Sequence, residues 1–383
     1  MKYSKIKSTR HLQNRALNKI IIYSPLLCLP AIAHSDSVSI SGIIDAGVRY
    51  DSGAINGHHT RVESGQMIAN RITFAGEESL GGGLKAGFVL ETGFSTDTGM
   101  GHANPPGAPA NSLTFGRTSA ISLGKDQTGY LSFGRQYTPL WAATASPSND
   151  PFAAAWLGGV NTLYNATVRS SNSIAYTYGY GSRALLRPAP AQGLGFAALY
   201  SAAEAQTNEP SQSGQQMGFN VSYGARPFWV AYGFHQIKGN NASINAAAAA
   251  SNSPVIKQQT LAASYEWGNT RFHAGINTGK SNADNPSALK RRNWHIGISS
   301  RFGERHMVRA LYGRADDRSQ ANSDFNSFQL GYQYNLSKRS MLYAAYGMVN
   351  NSDLSNKTFA GSAGTYLTGS TPKSFITGIR HNF

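Results

Sequence analysis

The residues of this 383-residue chain that could do chemistry are its ten histidines and its 34 lysines and arginines. His235, His273 and His295 stand alone, and the pair His58-His59 has no carboxylate at a spacing typical of a metal site. No local motif marks a serine or an aspartate as a histidine partner for hydrolysis. We therefore predict no catalytic residue, no metal ligand and no bound cofactor, and we interpret the histidines as polar lining or loop residues.

The net charge of the chain is +15 at neutral pH. After the first 35 residues the basic residues are scattered singly, without zinc-finger spacing, a basic helix or a basic run, so we predict no nucleic-acid partner. Removal of those first residues would leave 28 basic and 19 acidic side chains. We interpret this excess as a field that acts on small anions.

Residues 1–35 have the organisation of a secretory signal. Six basic residues precede a short apolar stretch, Ile20–Leu29, and Ala31-Ile32-Ala33 fits a small-x-small cleavage site. Cleavage after Ala33 and cleavage after Ser35 are equally compatible with this pattern. The single cysteine, Cys28, lies in the same segment, so the exported chain would have no disulfide and no thiolate metal site.

The elements that must position any functional residue are strands, because apolar residues after residue 36 recur at every second position. Val38 and Ile40 share one face of the first strand, and Ser39 and Ser41 share the other. The pattern repeats in about sixteen segments, and short Gly/Asn/Ser turns tend to alternate with longer polar loops, as in outer-membrane barrels. A soluble sandwich would show the same alternation with a drier inner face, but here small polar residues stand opposite aromatics in strand after strand.

We therefore predict an all-β fold over residues 36–383, a sixteen-stranded antiparallel transmembrane β-barrel. No run of about 18 apolar residues follows residue 30, so no transmembrane helix is predicted. A closed barrel also leaves no unpaired strand edge in the lipid.

One connection, from about residue 138 to 169, is far longer than most strand connections. It is rich in alanine, glycine and aromatic residues, and its single acid is Asp150. On a solvated surface loop, Trp141, Phe152, Trp156 and Leu157 would be exposed to water. We therefore predict that this loop folds inward and narrows the barrel.

Several short motifs follow one another along the exported chain. Each motif alone is weak evidence, but their order along one chain is strong evidence. They are Val38–Gly47, Asn70–Gly81, Phe115–Arg117, Leu131–Tyr137, Ser171–Tyr176 and Arg380–Phe383. In these motifs the chain resembles a general trimeric porin of the Gram-negative outer membrane, of the beta-proteobacterial type. The resemblance covers essentially all of the exported chain.

This resemblance implies a homotrimer of barrels, each narrowed by its third extracellular loop, in contact with outer-membrane lipid and lipopolysaccharide. It also implies export through the periplasm, insertion by the barrel assembly machinery and passive diffusion of small ions and hydrophilic solutes. A barrel hydrolase and a surface adhesin remain the alternative functions. No sequence motif singles out a nucleophile or a binding loop for either one.

The resemblance further implies a basic cluster on the pore wall, which matches Arg71, Arg117 and Arg169, and a loop acid, which matches Asp150. Arg71 shares its strand face with Thr73 and Glu77, although an ion pair with Glu77 or Glu91 would also explain it. Arg117 has the parity of Ile121 and Leu123, so an inward direction requires a bulge or an inward apolar end. Arg169 could line the pore or anchor the loop, and Asp150, before Pro151, could equally form a turn.

Two further residues have predicted roles outside the pore. Arg135 has the parity of Leu131 and Phe133, which places it on the outer face, and we predict that it lies at the subunit interface. A bulge after Gly134 would instead turn it into the lumen. Phe383 ends the last strand on its outward parity, and the resemblance implies that the assembly machinery recognises this terminal aromatic residue.

Overall fold

The computed structural model describes residues 37–102, 113–153, 159–164, 166–182, 188–202, 214–239, 254–283 and 288–383. The predicted signal segment lies outside these ranges, and so do Trp156 and Leu157 of the long connection. Eighteen strand segments make up a single sheet. Their bounds are β1 Ser37–Ala54, β2 Gly57–Ser64, β3 Arg71–Gly81, β4 Leu84–Phe94, β5 Gly101–His102, β6 Thr118–Lys125, β7 Gly129–Tyr137, β8 Arg169–Tyr178, β9 Gly193–Ser201, β10 Gln216–Ala225, β11 Phe228–Lys238, β12 Val255–Trp267, β13 Thr270–Ser281, β14 Lys290–Phe302, β15 His306–Asp317, β16 Phe325–Asn335, β17 Ser340–Asn351 and β18 Lys373–Asn382.

The sheet is antiparallel and closed, because β1 pairs with β18 from Ile43–Asn382 to Ser52–Lys373. Two positions around the barrel are each occupied by a pair of segments. The second half of β1 pairs with β2 and its first half pairs with β3, so β2 and β3 together fill one position. In the same way, β5 and β6 both pair with β4. The eighteen segments therefore occupy sixteen positions, and the predicted sixteen-stranded barrel is confirmed.

The alternation read from the sequence separates the two faces of this wall. Outward side chains are large and apolar and lie exposed at the surface, as for Phe133, Ile174 and Tyr223. The intervening side chains, such as Ser132, Asn220 and Thr260, are fully buried and polar. Because successive side chains of a strand point to opposite faces, the apolar face meets the membrane and the polar face encloses the lumen.

Most short turns and most long connections fall at opposite rims. Turns such as Arg226-Pro227 and Gly268-Asn269 join strands at the rim that also holds both ends of the barrel chain, Ser37 and Phe383. The connections after β4, β7 and β17 belong to the other rim. We name the first the short-turn rim and the second the loop rim. Two helical segments are described, α1 (Pro139–Thr144) and a 3₁₀ turn (Val160–Thr162), and no described helix is long and apolar enough to cross a membrane.

Two local features differ from the sequence prediction. β2 was not predicted, because Gly57–Ser64 carries little apolar alternation and is held as a strand by pairing with β1. The motif Phe115-Gly116-Arg117 precedes β6 and lies outside the strand, which begins at Thr118. This second difference decides the direction of Arg117.

Candidate pore constriction

The long connection between β7 and β8 is closed at its base and begins with α1. The Thr138 backbone N–H donates to the carbonyl of Val168 at 3.0 Å, and its hydroxyl donates to the carbonyl of Thr167. The Thr138 hydroxyl also accepts the Trp141 N–H at 3.1 Å, which caps the helix, and Pro139 occupies its first turn. We name Thr138–Val168 the inner loop.

Hydrogen bonds hold the inner loop against the polar inward face of the wall. Asn220 on β10 donates to the Pro139 carbonyl at 2.7 Å, and the hydroxyls of Thr144 and Thr260 lie 3.0 Å apart. Asn293 on β14 donates to the Leu163 carbonyl at 2.9 Å. The described parts of the inner loop therefore lie against the inward face of β10 to β16.

Two buried histidines extend this row of contacts. His273 Nδ1 lies 3.1 Å from the Ser148 carbonyl oxygen. His295 contacts the Tyr164 hydroxyl through Nδ1 at 2.7 Å and the Asn149 carbonyl through Nε2 at 3.1 Å. Both rings thus serve as fixed polar supports for the inner loop, in agreement with the lining role predicted for them.

A row of inward-facing glycines provides the space for this packing, and sequence reasoning missed it. They are Gly233, Gly275, Gly297, Gly313 and Gly331, on strands β11 and β13 to β16. A Cβ at Gly297 would lie 2.8 Å from Cγ of Pro151, and one at Gly331 would lie 2.6 Å from Cε1 of Phe152. Any larger residue would push the loop away from the wall.

Asp150 is buried within the inner loop. Its carboxylate accepts the backbone N–H of Phe152 at 2.9 Å and that of Val160 at 3.2 Å. These bonds join the two halves of the loop, as the turn-forming alternative for Asp150 predicts. The acid at the predicted basic cluster is instead a wall residue, Glu91 on β4.

Arg71 and Arg117 converge on that carboxylate. Arg117 Nε lies 2.8 Å from Glu91 Oε1, and the nearest Arg71 nitrogen lies 3.9 Å from the same oxygen. Thr73 donates its hydroxyl to Glu91 Oε2 at 2.9 Å. The ion-pair alternative for Arg71 therefore holds, with Glu91 as the partner.

Tyr137 at the end of β7 joins the third arginine to the other two. Its hydroxyl oxygen accepts one N–H from Arg117 and one from Arg169, each at 3.0 Å. The Arg169 guanidinium also stacks over the Tyr137 ring at 4.6 Å. Arg169 Nε is buried and makes no hydrogen bond within the described residues. The structure thus brings the three predicted arginines together around Tyr137 and Glu91, and we name these five residues the arginine cluster.

Arg117 reaches the cluster although regular parity would turn it outward. The chain bends at Phe115 and Arg117, before β6 starts, and the Arg117 N–H donates to the Glu91 carbonyl at 3.2 Å. The inward direction that seemed to need a bulge therefore comes from a bend outside the strand.

Arg135 is half-buried, and its guanidinium has acceptors in its own chain. Nε donates to the Gly116 carbonyl at 2.6 Å, and a terminal nitrogen donates to Ser171 Oγ at 2.8 Å. The register between β7 and β8 shifts here, with Ser171 and Asn172 of β8 opposite the single residue Arg135 of β7, so the extra residue belongs to β8. A neighbouring subunit is not required to satisfy this charge.

Phe383 closes the barrel at the short-turn rim. Its backbone exchanges hydrogen bonds with Gly42, at 2.9 Å and 3.1 Å, and its ring packs where a Gly42 side chain would lie. The ring is 41% exposed. Phe383 thus extends the β1–β18 seam beyond the last strand residue.

A second connection, between β17 and β18, also lies inside the barrel, and the sequence did not predict this. Arg49 on β1 is fully buried, pairs with Asp51 at 2.9 Å and donates to the Ala360 carbonyl at 2.7 Å and to Ser362 Oγ at 2.8 Å. Phe359 packs against the space left by Gly347. The only sequence signal was the inward parity that Arg49 shares with Asp45 and Asp51.

Comparison with known families agrees with this architecture. A family model described as Gram-negative porin matches residues 22–354. Outer membrane porin protein 32 of Delftia acidovorans is 27% identical over 380 residues, which cover 95% of this chain and 99% of the relative. An outer membrane porin of Bordetella pertussis is also 27% identical, over 91% of this chain and 94% of its own.

Among solved structures, the anion-selective porin from Comamonas acidovorans superposes with a TM-score of 0.76. It is 26% identical, and the match covers 91% of this chain and 99% of the porin. The shared region thus extends over the whole barrel of both proteins.

Proposed function

Because the chain belongs to the Gram-negative porin family and lies in the outer membrane, we propose that it forms an anion-preferring diffusion channel. The channel is filled with water and passes small hydrophilic solutes and ions without a cofactor. Its relatives are named as porins, which are channels, and the proposal includes no enzymatic activity.

The observation that carries the anion preference is the arginine cluster. Three guanidinium groups lie around one carboxylate, Glu91, and one phenol, Tyr137, on the inward face. Glu91 can balance one of the three charges, and Arg169 Nε still has a free donor. Guanidinium groups bind carboxylate and phosphate oxygens with paired N–H donors, so small anions fit this site.

The solved porin from Comamonas acidovorans is titled anion-selective, which supports the same preference. The positive balance of the exported chain adds to it, because fixed charges act over a Debye length of about 10 Å at 0.1 M salt. We expect the preference to weaken in concentrated salt for the same reason.

Reversal potentials across a salt gradient, measured with purified protein in a planar bilayer, test both parts of the proposal. We expect stepwise channels whose potential has the sign of anion preference, larger in dilute than in concentrated salt. Absence of channels would overturn the diffusion function. Channels with a clear cation preference at low salt would overturn the anion preference alone.

We also propose that the barrel works as a homotrimer, with Arg135 at the subunit interface, and contacts outer-membrane lipid and lipopolysaccharide. The support is the porin family and the outward parity that Arg135 shares with exposed Leu131 and Phe133. Crosslinking of the protein in intact outer membranes tests the trimer. A product no larger than one chain would contradict it.

We propose further that the barrel assembly machinery recognises Phe383 during insertion. The exposed ring at the barrel seam, on the outward face of the wall, supports this role. Deletion of Phe383 should lower the amount of heat-modifiable barrel in the outer membrane, with unchanged single-channel selectivity for the molecules that insert. Normal barrel levels after the deletion would contradict this role.

A further inference from the structure

The outward face of the barrel carries a row of basic side chains at the loop rim. Lys257 on β12 is the cross-strand partner of Lys280 on β13, and Lys280 is the partner of Lys290 on β14. All three side chains are exposed. Arg318, just after β15, continues the row, because its backbone N–H donates to the Lys290 carbonyl at 2.7 Å. We name the three lysines the lysine row.

The lysine row faces away from the lumen. Successive side chains of a strand point to opposite faces, and Ile256, next to Lys257, is buried on the inward face. The three lysines instead have the parity of Leu261, Ile276 and Trp294, large side chains that are exposed on the apolar face. The row therefore points to the membrane side of the wall and is separate from the arginine cluster.

The height of the lysine row matches the edge of the apolar band. Lys257 stands ten residues from Trp267, which ends β12 at the short-turn rim. At a rise of about 3.3 Å per residue and a tilt of about 45°, this separation is about 23 Å along the barrel axis. The apolar band of membrane barrels is about 25 Å tall, and long loops lie on its extracellular side. The next outward residues below the row, Gln259, Thr278 and Arg292, are also polar and in register. The row therefore lies at the level of the lipid headgroups in the outer leaflet.

The charge of the lysine row has no partner in the described wall. Directly opposite side chains on neighbouring strands lie about 5 Å apart, and equal charges at that distance repel. Within the described residues, no ion pair or side-chain hydrogen bond joins any of the three lysines to another group. Asp316, the outward acid on β15, pairs with Arg318 at 2.8 Å. Asp284, between β13 and β14, lies outside the described residues. The row is therefore matched to an anion supplied by the membrane.

We propose that the lysine row binds the phosphate groups of one lipopolysaccharide molecule in the outer leaflet, with its acyl chains against Leu261 and Ile276. This inference deepens the proposed contact with lipopolysaccharide, because it gives that contact a site. Basic residues at a membrane surface attract anionic headgroups, and flexible lysine stems let the ammonium groups reach them. The lipid A part of lipopolysaccharide carries two phosphates on one disaccharide, so a single molecule contacts lysines on neighbouring strands.

The test measures binding of diphosphoryl lipid A to the complete protein, refolded as a lipid-free barrel in neutral detergent, by native mass spectrometry. The variant Lys257→Gln/Lys280→Gln/Lys290→Gln should bind about tenfold or more weakly than the wild type, because three surface cations are lost. Lys373→Gln is the matched control, since Lys373 is an exposed outward lysine at the loop rim of β18 whose cross-strand partners are uncharged. The control should bind lipid A as the wild type does.

Two further probes separate the possible sources of phosphate. Dephosphorylated lipid A should bind the wild type and the triple variant equally and weakly. Neither phosphatidylglycerol nor inorganic phosphate at millimolar concentration should displace diphosphoryl lipid A from the wild type. Equal binding of diphosphoryl lipid A by the wild type and the triple variant overturns the proposal. Displacement by either probe also overturns it, because the row would then bind phospholipid or free phosphate.

A single substitution covers the case in which the triple variant does not fold. Lys280→Glu puts a carboxylate between two lysines and exchanges repulsion for attraction, so the lipid-free barrel should unfold at a temperature no lower than that of the wild type. Added lipid A should raise the unfolding temperature of the wild type and leave that of Lys280→Glu unchanged. A rise of equal size in both proteins would contradict the proposal.

Channel recordings keep this test distinct from that of the proposed function. Because the lysine row faces the membrane side of the wall, Lys280→Glu should have the single-channel conductance and the ion preference of the wild type. A wild type that binds lipid A and forms no channels would overturn the diffusion function alone. A wild type that forms anion-preferring channels and does not bind lipid A would overturn the lipid site alone.

Discussion

The inward face of the barrel differs between its two sides. On the side of β3, β4, β7 and β8, three arginines share one carboxylate and one phenol. On the side of β10 to β16, many contacts of the inner loop are with neutral groups, such as Asn220, His295 and the glycine row. Arg271, at 3.3 Å from the Pro147 carbonyl, is one charged contact.

This difference assigns ion selectivity and the positioning of the inner loop to different residues. The arginine cluster lies on the side that does not carry the loop. The loop is positioned by hydrogen bonds and by the absence of side chains, and neither depends much on salt. Selectivity and loop position should therefore respond to different substitutions, and four predictions test this separation in order of expected effect.

The largest change should follow removal of the charges from the arginine side. The triple variant Arg71→Gln/Arg117→Gln/Arg169→Gln should lose most of the anion preference, because one unit charge at 4 Å is worth about 1 kcal/mol in water, or roughly fivefold in an equilibrium. Reversal potentials at low salt measure it, with Arg339→Gln at an exposed turn as the control. Unchanged potentials would place the selectivity elsewhere.

A substitution in the glycine row should move the loop without changing the charge. Gly297→Val would bring a side chain against Pro151, and overpacking of this kind costs about 1–3 kcal/mol. We expect a changed single-channel conductance with nearly the same ion preference. Gly279→Val is the matched control, because the nearest atom to its Cβ is the tip of Leu289, at 3.1 Å. A shift in preference with constant conductance would contradict the separation.

The substitution Arg135→Ala tests whether Arg135 belongs to the subunit interface or to the pore. Hydrogen bonds to charged groups contribute about 1.5–3 kcal/mol, so loss of the bonds to Gly116 and Ser171 should lower stability. For an interface residue, the temperature at which trimers dissociate in detergent falls, and conductance and selectivity stay nearly unchanged. A trimer that melts as before, with a weaker anion preference, would instead include Arg135 in the pore.

The smallest effect is expected for Tyr137→Phe, which removes the hydroxyl that accepts N–H bonds from Arg117 and Arg169. The ring remains and can still stack under Arg169, so only the positioning of the two guanidinium groups is lost. At about 0.5–1.5 kcal/mol per hydrogen bond, we expect a modest drop in anion preference and a wild-type conductance. A drop as large as that of the triple variant would make the phenol itself an anion ligand.

Much of this architecture was predictable because strand parity is a local property. Alternation along each segment predicted the two faces and the number of strands around the barrel, and Arg71 was placed inward by its neighbours Thr73 and Glu77. Parity failed at Arg117, since it applies only within a strand and this residue precedes one. Parity left Glu77 and Glu91 as equal partners for Arg71, because the choice of Glu91 depends on the register between β3, β4 and β6.

The sequence by itself determined the strand pattern, the polar and apolar faces of the wall, the long connection between β7 and β8, and the family. Only the tertiary structure decided that Asp150 ties the inner loop to itself, that Tyr137 joins two arginines and that five glycines leave room for the loop. The reason is physical: a side chain's face is set by its neighbours in the chain. Its partners are set by strand register and by loops that cross the lumen, which bring together residues far apart in sequence.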